Sequence, residues 1–242
     1  MQIVSLRAFW YSALMSKVAA ITGGAGAIGT AIAAALAETG HTVAVLDRDA
    51  EFSVDLARQD DVRRAAEAVL ARHGRVDVLV HCAAAFDLAP LAELDLDTWR
   101  HVQAVNVESI LWLCQAFVPT MARGRFGRIV LVVSDTVWDP PTDALLPYVA
   151  SKAALIGVAR VLARALGPDG ITVNCVAPGL TRTPASESGM PSDAFESVLK
   201  RQALPRTLVP EDTAAAAAFL ASDAAAAITG QTICTDGGLI LR

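Results

Sequence analysis

Lysine and tyrosine are almost absent. The 242 residues contain three lysines (Lys17, Lys152, Lys200) and two tyrosines (Tyr11, Tyr148). The four cysteines, Cys82, Cys114, Cys175 and Cys234, form no C-x-x-C pair. The four histidines, His41, His73, His81 and His101, lack metal-ligand spacing. A disulfide scaffold and a zinc site are therefore disfavoured, no metal is expected, and free thiols in a reducing cytoplasm are the expectation. Basic residues are not in excess: 20 Lys and Arg stand against 25 Asp and Glu, a net charge of −5. That balance argues against a nucleic-acid partner. No uncharged apolar run approaches the roughly 20 residues that span a bilayer, so no membrane partner is expected.

What is abundant is apolar. Hydrophobic residues make up 54% and charged residues 19%. Such a chain buries a large core and is not a disordered one. Short apolar runs alternate with helical patterns. Strands are expected at 17–22, 42–46, 52–56 (weak), 76–82, 128–133, 171–176 and 231–235. Helices are expected at 28–39, 60–73, 97–122, 147–166 and 210–222, with stops at Gly40 and Gly74. Continuously apolar strands alternating with helices predict a parallel sheet of about seven strands covered on both faces. The chain therefore reads as one doubly wound α/β domain over 15–242. Residues 1–14 read as an extension outside the core, without a clear signal-cleavage site, and Met15 as the start of the domain. Asp47 and Asp55 are too close for an ordinary helical crossover, so the second crossover helix should be missing and 48–51 a bare loop.

The turn Thr22-Gly23-Gly24-Ala25-Gly26-Ala27-Ile28-Gly29 follows the first strand and opens the first helix. Small residues let the backbone approach a pyrophosphate, and the helix start offers free N–H groups and a positive dipole end. Tight helix–strand packing alone also uses such turns. The acidic Asp47, 18 positions after Gly29 at the end of the second strand, adds the expected partner for ribose hydroxyls. A carboxylate there repels a 2′-phosphate, so NAD is favoured over NADP, and Arg48 next door would soften the preference. Tyr148 and Lys152 stand at i and i+4 on one expected helix and so share a face. An ammonium beside a phenol favours the phenolate, the tuning that acid/base chemistry requires. A plain surface pair has the same spacing.

These motifs together resemble the short-chain dehydrogenase/reductase family, from Lys17 to the C-terminus, a Rossmann-type fold. The Thr-Gly-x-x-x-(Gly/Ala)-x-Gly turn is matched by Thr22, Gly23, Ala27 and Gly29, and the Tyr-x-x-x-Lys by Tyr148 and Lys152. Ser134 matches the serine after the fifth strand and Asn106 the helix asparagine. Asn174, Pro178, Gly179 and Thr183 match a further stretch, and Thr229-Gly230-Gln231 with Asp236-Gly237-Gly238 the closing one. The resemblance implies Tyr148 as general acid/base, Ser134 holding the substrate oxygen, Lys152 on the nicotinamide ribose and lowering the Tyr148 pKa, and Asn106 holding a relay water. It assigns cofactor contacts to Gly23, Gly26, Ala27, Ile28, Gly29, Asp47, Ala83, Pro178, Gly179, Thr181 and Thr183, with Asp55 and Leu56 at the adenine. The substrate pocket is expected around Ser134, Trp138, Tyr148 and Met190, with 184–192 as a mobile lid.

One departure is His81-Cys82-Ala83-Ala84 where the family has Asn-Asn-Ala-Gly; His81 and Cys82 read as structural replacements. Within the family, residues 86–242 look most like NAD-dependent dehydrogenases of hydrophobic or aromatic secondary alcohols, of the 1-phenylethanol dehydrogenase type. Two alternatives stand beside this: a dihydrodiol dehydrogenase, suggested by the Ser134-Asp135 pair and the short crossover, and a dinucleotide-binding sensor without turnover. A 3-oxoacyl reductase is disfavoured by Asp47. A homotetramer or homodimer is expected by resemblance, through helices 97–122 and 147–166.

Overall fold

The computed structural model describes residues 16–241. The expected extension over 1–14 and the domain start at Met15 lie outside them. The strands are β1 (Val18–Thr22), β2 (Thr42–Asp47), β3 (Phe52–Ser53), β4 (Val78–His81), β5 (Gly127–Val132), β6 (Ile171–Pro178) and β7 (Thr232–Thr235). They form one parallel sheet in the order β3-β2-β1-β4-β5-β6-β7. Every residue of β1, β4, β5 and β6 is buried. These runs are mostly apolar on both faces because neither face meets water, and the polar Arg128, Thr172 and Asn174 within them are buried as well.

The two faces have separate cores. Alternate strand residues Ala20, Leu79 and Leu131 point to one side, against α2 (Gln59–His73), α4 (Ser109–Gly124) and α5 (Leu146–Leu166), through Val69, Phe117 and Leu155. Ile21, Val80 and Val130 point to the other, against α1 (Ala27–Glu38) and α8 (Pro210–Ala221), through Ile32, Leu36 and Leu220. The period-2 alternation of side chains makes both cores from the same strands. The helical stretch Asp143–Asp169 is long and apolar enough to cross a membrane. Here it packs on β6, with Leu155, Ala159 and Ala163 buried.

The second crossover has no helix. Residues 48–51 form a turn, and β2 and β3 pair in parallel as Leu46↔Phe52 and Asp47↔Ser53. So short a link closes because β3 is two residues long: Ser53 Oγ donates to the Arg48 carbonyl at 2.8 Å and Val54 N–H to the Asp47 carbonyl at 3.1 Å. The expected strand 52–56 shrinks to Phe52–Ser53, although Val54 and Leu56 are buried.

Two further differences bear on the site. The helix expected over 97–122 is α3 (Leu96–Gln103), a π-helical turn at Ala104–Glu108, and α4. Asp95 caps α3 by accepting Thr98 N–H at 2.7 Å. The stretch expected as a lid forms α6 (Pro184–Gly189), followed by α7 (Ala194–Leu199). The in-register pairs Thr22↔His81, His81↔Leu131 and Val132↔Val176 bring the carboxyl ends of the central strands to one edge. In open α/β sheets that edge carries the ligand site.

Candidate active site

Ser134 lies just past β5, buried, and its Oγ accepts from Thr136 N–H at 3.2 Å and from the Thr136 hydroxyl at 2.9 Å. α5 supplies its two chemical side chains from one face. Lys152 is almost completely buried, and its Nζ donates to the Val132 carbonyl at 2.7 Å. The same ammonium lies 5.5 Å from the Tyr148 ring centroid. The Tyr148 phenol lies near enough to Ser134 for the serine to lower its pKa. The structure therefore brings Ser134, Tyr148 and Lys152 together, Tyr148 and Lys152 by their helical spacing and Ser134 as the resemblance implied.

Burial is the leading electrostatic influence. It pushes the Tyr148 phenol up to about 12, against the smaller lowering effect of Ser134. It pushes Lys152 down to about 8. The expected lowering of Tyr148 is thus reversed, because removing a phenolate from water costs more than its surroundings return. The phenol is protonated near neutrality and ready to donate.

Asp135 follows Ser134 directly and is also buried. Burial first, then Asp236, raises its carboxyl to about 6. Ser134 Oγ lies 3.4 Å from Asp135 Oδ1. Two more residues join the site without a sequence motif to mark them. Phe86 packs edge-on against Tyr148, with ring centroids 4.7 Å apart. Ser151 donates to the Tyr148 carbonyl at 2.6 Å. An aromatic just after β4, in a chain only 5% aromatic, was the available signal for Phe86.

Asn106 sits inside the π turn and is fully buried. Its amide donates to the Ala85 carbonyl at 3.1 Å and to Ser151 Oγ at 2.9 Å, and its Oδ1 accepts Ala85 N–H at 2.7 Å. The side chain is committed to the loop after β4 and to α5. His81 bonds Thr22 Oγ1 at 2.9 Å and the Asn106 carbonyl at 3.0 Å, consistent with its reading as a structural replacement.

The glycine-rich turn lies beside this cluster. Gly23 has φ +67°, and a Cβ there would stand 2.6 Å from the Ala83 backbone. A Cβ on Gly29 would stand 2.1 Å from the Gly23 carbonyl oxygen. Gly26 precedes α1 with no side-chain cap, and the first turn, including Ala27 and Ile28, has no acidic residue. No side chain caps its first N–H groups, which suits an anionic pyrophosphate. Asp47 Oδ2 accepts Ala25 N–H at 3.1 Å and its Oδ1 accepts Arg48 N–H at 2.7 Å, which fixes the carboxylate at the mouth of the turn.

The remaining expected residues are more dispersed in role. Pro178 ends β6, and the Gly179 backbone lies against Asp236. Thr181 is buried and bridges to Leu208. Thr183 caps α6 through Ser186 N–H at 3.1 Å, and Met190 closes that helix. Trp138 ends the short turn after Ser134. On the far flank, Leu56 is buried and Asp55 accepts Ala57 N–H at 3.0 Å.

The sheet order, the turn and the Ser134–Tyr148–Lys152 cluster meet an independent finding. Residues 23–240 match the family model described as enoyl-(acyl carrier protein) reductase. This chain belongs to the short-chain dehydrogenase/reductase family. It is 35% identical to the D-threitol dehydrogenase of Mycolicibacterium smegmatis, covering 95% of each chain. It is also 35% identical to the 3-oxoacyl-[acyl-carrier-protein] reductase FabG of Thermotoga maritima, over 94% of this chain and 99% of that one. A solved short-chain type dehydrogenase/reductase from Mycobacterium ulcerans superposes with a TM-score of 0.87 at 29% identity, covering 94% of this chain and 92% of that one. As a short-chain dehydrogenase/reductase, the protein is an oxidoreductase that acts on alcohol or keto groups with a nicotinamide dinucleotide.

Proposed function

We propose that this short-chain dehydrogenase/reductase transfers hydride between NAD(H) and a hydrophobic secondary alcohol or its ketone. The observation that carries the reading is the Tyr148 phenol beside Ser134, with the buried Lys152 ammonium 5.5 Å from its ring centroid. The nicotinamide, when bound, accepts or donates the hydride. Tyr148 gives its proton to the carbonyl oxygen in reduction and takes it back in oxidation. Ser134 orients that oxygen. Lys152 places a positive charge near the phenol ring and would hold the nicotinamide ribose. Gly23 to Gly29 would cradle the pyrophosphate, with Ala83, Pro178, Gly179, Thr181 and Thr183 along its path and Asp55 and Leu56 at the adenine. Asp47 supports the choice of NAD, because a carboxylate fixed at the turn mouth repels a 2′-phosphate. The same carboxylate weighs against a FabG-like activity. Phe86, Trp138 and Met190 would supply apolar walls, which supports a substrate of the 1-phenylethanol type.

A second reading is favoured by one feature. Asp135 puts a buried carboxyl next to the catalytic serine, where a second substrate hydroxyl would find an acceptor. That suits a vicinal diol, such as a dihydrodiol aromatised on oxidation, and agrees with a relative named for threitol. The test is NADH formation by purified protein with NAD⁺ and a panel of 1-phenylethanol, aliphatic secondary alcohols, dihydrodiols and threitol. NADP⁺ and Tyr148→Phe serve as controls. Turnover with NAD⁺, lost in the Phe variant, supports the roles, and the best substrate selects the reading. NAD⁺ binding without turnover on any member would support a dinucleotide sensor instead.

The protein is further proposed to work in the cytoplasm as a homotetramer or homodimer. Exposed Leu111 on α4 and Val161 on α5 support an interface on those two helices.

A further inference from the structure

We infer that His81 is a positioning residue for the Tyr148–Lys152 pair, acting through the carbonyl of Asn106; this rests on the catalytic reading given above. His81 closes β4 at the active edge of the sheet and is completely inaccessible. Its two ring nitrogens have different partners, Thr22 Oγ1 at 2.9 Å and the Asn106 carbonyl at 3.0 Å.

The partners fix the tautomer. A carbonyl can only accept, so Nε2 carries the hydrogen and Nδ1 the lone pair. Thr22 must then donate its hydroxyl hydrogen to Nδ1. That leaves the Thr22 oxygen free to accept Ala83 N–H, which lies 3.3 Å away. The chain of bonds is therefore directional from Ala83 through Thr22 and His81 to Asn106. The ring stays neutral throughout, since burial and the Lys152 charge push its pKa down to about 3. His81 is a fixed strut and not a pH switch.

The π turn explains why a strut is needed. A π turn widens the helix and breaks the regular bonding pattern of its carbonyls. His81 holds the Asn106 carbonyl at that point. The Asn106 side chain then grips both supports of Tyr148. It binds Ser151, which donates to the Tyr148 carbonyl, and it binds both polar groups of the Ala85 backbone, next to Phe86 on the Tyr148 ring. Released from His81, Asn106 would let α5 and the loop after β4 drift, and water would reach the Tyr148 phenol, whose pKa burial holds up. Among the described residues, the charged and titratable groups facing Tyr148 are Lys152, Asp135 and Cys82, with the Ser134 hydroxyl beside them. Lys152 is the charge facing His81.

Two substitutions separate the halves of the bridge. The amide of Asn overlays Nδ1 of histidine, and that of Gln overlays Nε2. His81→Asn keeps the Thr22 bond and loses Asn106; His81→Gln does the reverse. In the full chain with saturating NAD⁺, His81→Asn should lower kcat about tenfold, the size of one lost buried hydrogen bond. It should also move the acid limb of the oxidation pH profile downward, with NADH affinity changed by less than about twofold. His81→Gln should keep kcat and the limb near the parent values and weaken NADH binding. Ultraviolet titration of the phenol, subtracting Tyr148→Phe, reads the same midpoint shift without turnover. Thus a parent inactive on the whole panel would sink the proposed reaction, while the titration still decides the role of His81. Equal loss in both variants with an unmoved midpoint would overturn the inference, as would full activity in His81→Asn.

Discussion

The carboxylate of Asp47 accepts the backbone N–H of Ala25 at 3.1 Å, so the end of β2 is tied to the glycine-rich turn of the neighbouring strand. This bond decides where the negative charge stands relative to a bound dinucleotide. On the proposed reading, replacing Asp47 by Ala removes both the ribose acceptor and the repulsion. The kcat/KM for NAD⁺ is expected to fall about 10- to 100-fold, the range for a lost charge-assisted hydrogen bond. That for NADP⁺ should hold or rise. Steady-state kinetics with the two dinucleotides checks this; an unchanged ratio would refute the assigned role.

Tyr148→Phe is expected to reduce kcat by about 10²- to 10⁴-fold, the usual share of a positioned acid or base. NADH binding should survive. In the parent protein the phenol is pushed up to about 12. Alcohol oxidation needs the phenolate and should accelerate with rising pH. Ketone reduction needs the phenol and should stay level through neutrality. Opposite pH trends for the two directions are the signature to measure.

Lys152 also links stability to pH. Its folded pKa, about 8, is below the ordinary 10.5. Between those values the unfolded chain binds more protons, so stability should rise as pH increases through the window. Lys152→Met, similar in length but uncharged, should flatten that rise and add of order 2 kcal/mol near pH 7, less whatever the Val132 bond contributed. Denaturant unfolding at several pH values tests the slope.

Asp135 has the opposite sign. Its folded pKa is raised from 3.8 to about 6. The native state binds more protons in that interval, so stability should fall as pH rises through it. Asp135→Asn is expected to be more stable at pH 7 by of order 2 kcal/mol, several degrees in Tm. If the diol reading holds, the same variant loses activity on dihydrodiols and keeps it on simple secondary alcohols. Paired melting curves and substrate panels separate the two effects.

Gly29→Ala should be severely destabilising, because its Cβ would lie 2.1 Å from the Gly23 carbonyl. Neither the turn nor α1 has a flexible side chain there to yield. Gly40→Ala meets no atom within 4 Å, so only its positive φ opposes it, and about 1 kcal/mol is expected. Thermal melts of the two variants side by side make the comparison.

Much of the fold was legible because its signals are local. The buried strands read as largely apolar runs, and the missing crossover followed from the short span between Asp47 and Asp55. The Tyr148–Lys152 pair was visible because four positions on a helix are one face. Less local features were not. The π turn over Ala104–Glu108 has no residue type that announces it. Nor did the composition of 184–192 reveal that Thr183 and Ser186 would cap a helix there.

The order of apolar runs, the small residues of the turn and a few scarce polar side chains thus determined the sheet, the family and the chemical centre. Tertiary structure alone decided what those side chains feel. Burial, not the nearby ammonium, governs the Tyr148 phenol. The bridge from Thr22 through His81 to Asn106 joins residues 84 positions apart, and no spacing rule foretells it. The reason is physical: periodicity reports which way a side chain points. Desolvation and long-range hydrogen bonds depend on what other segments bring to meet it.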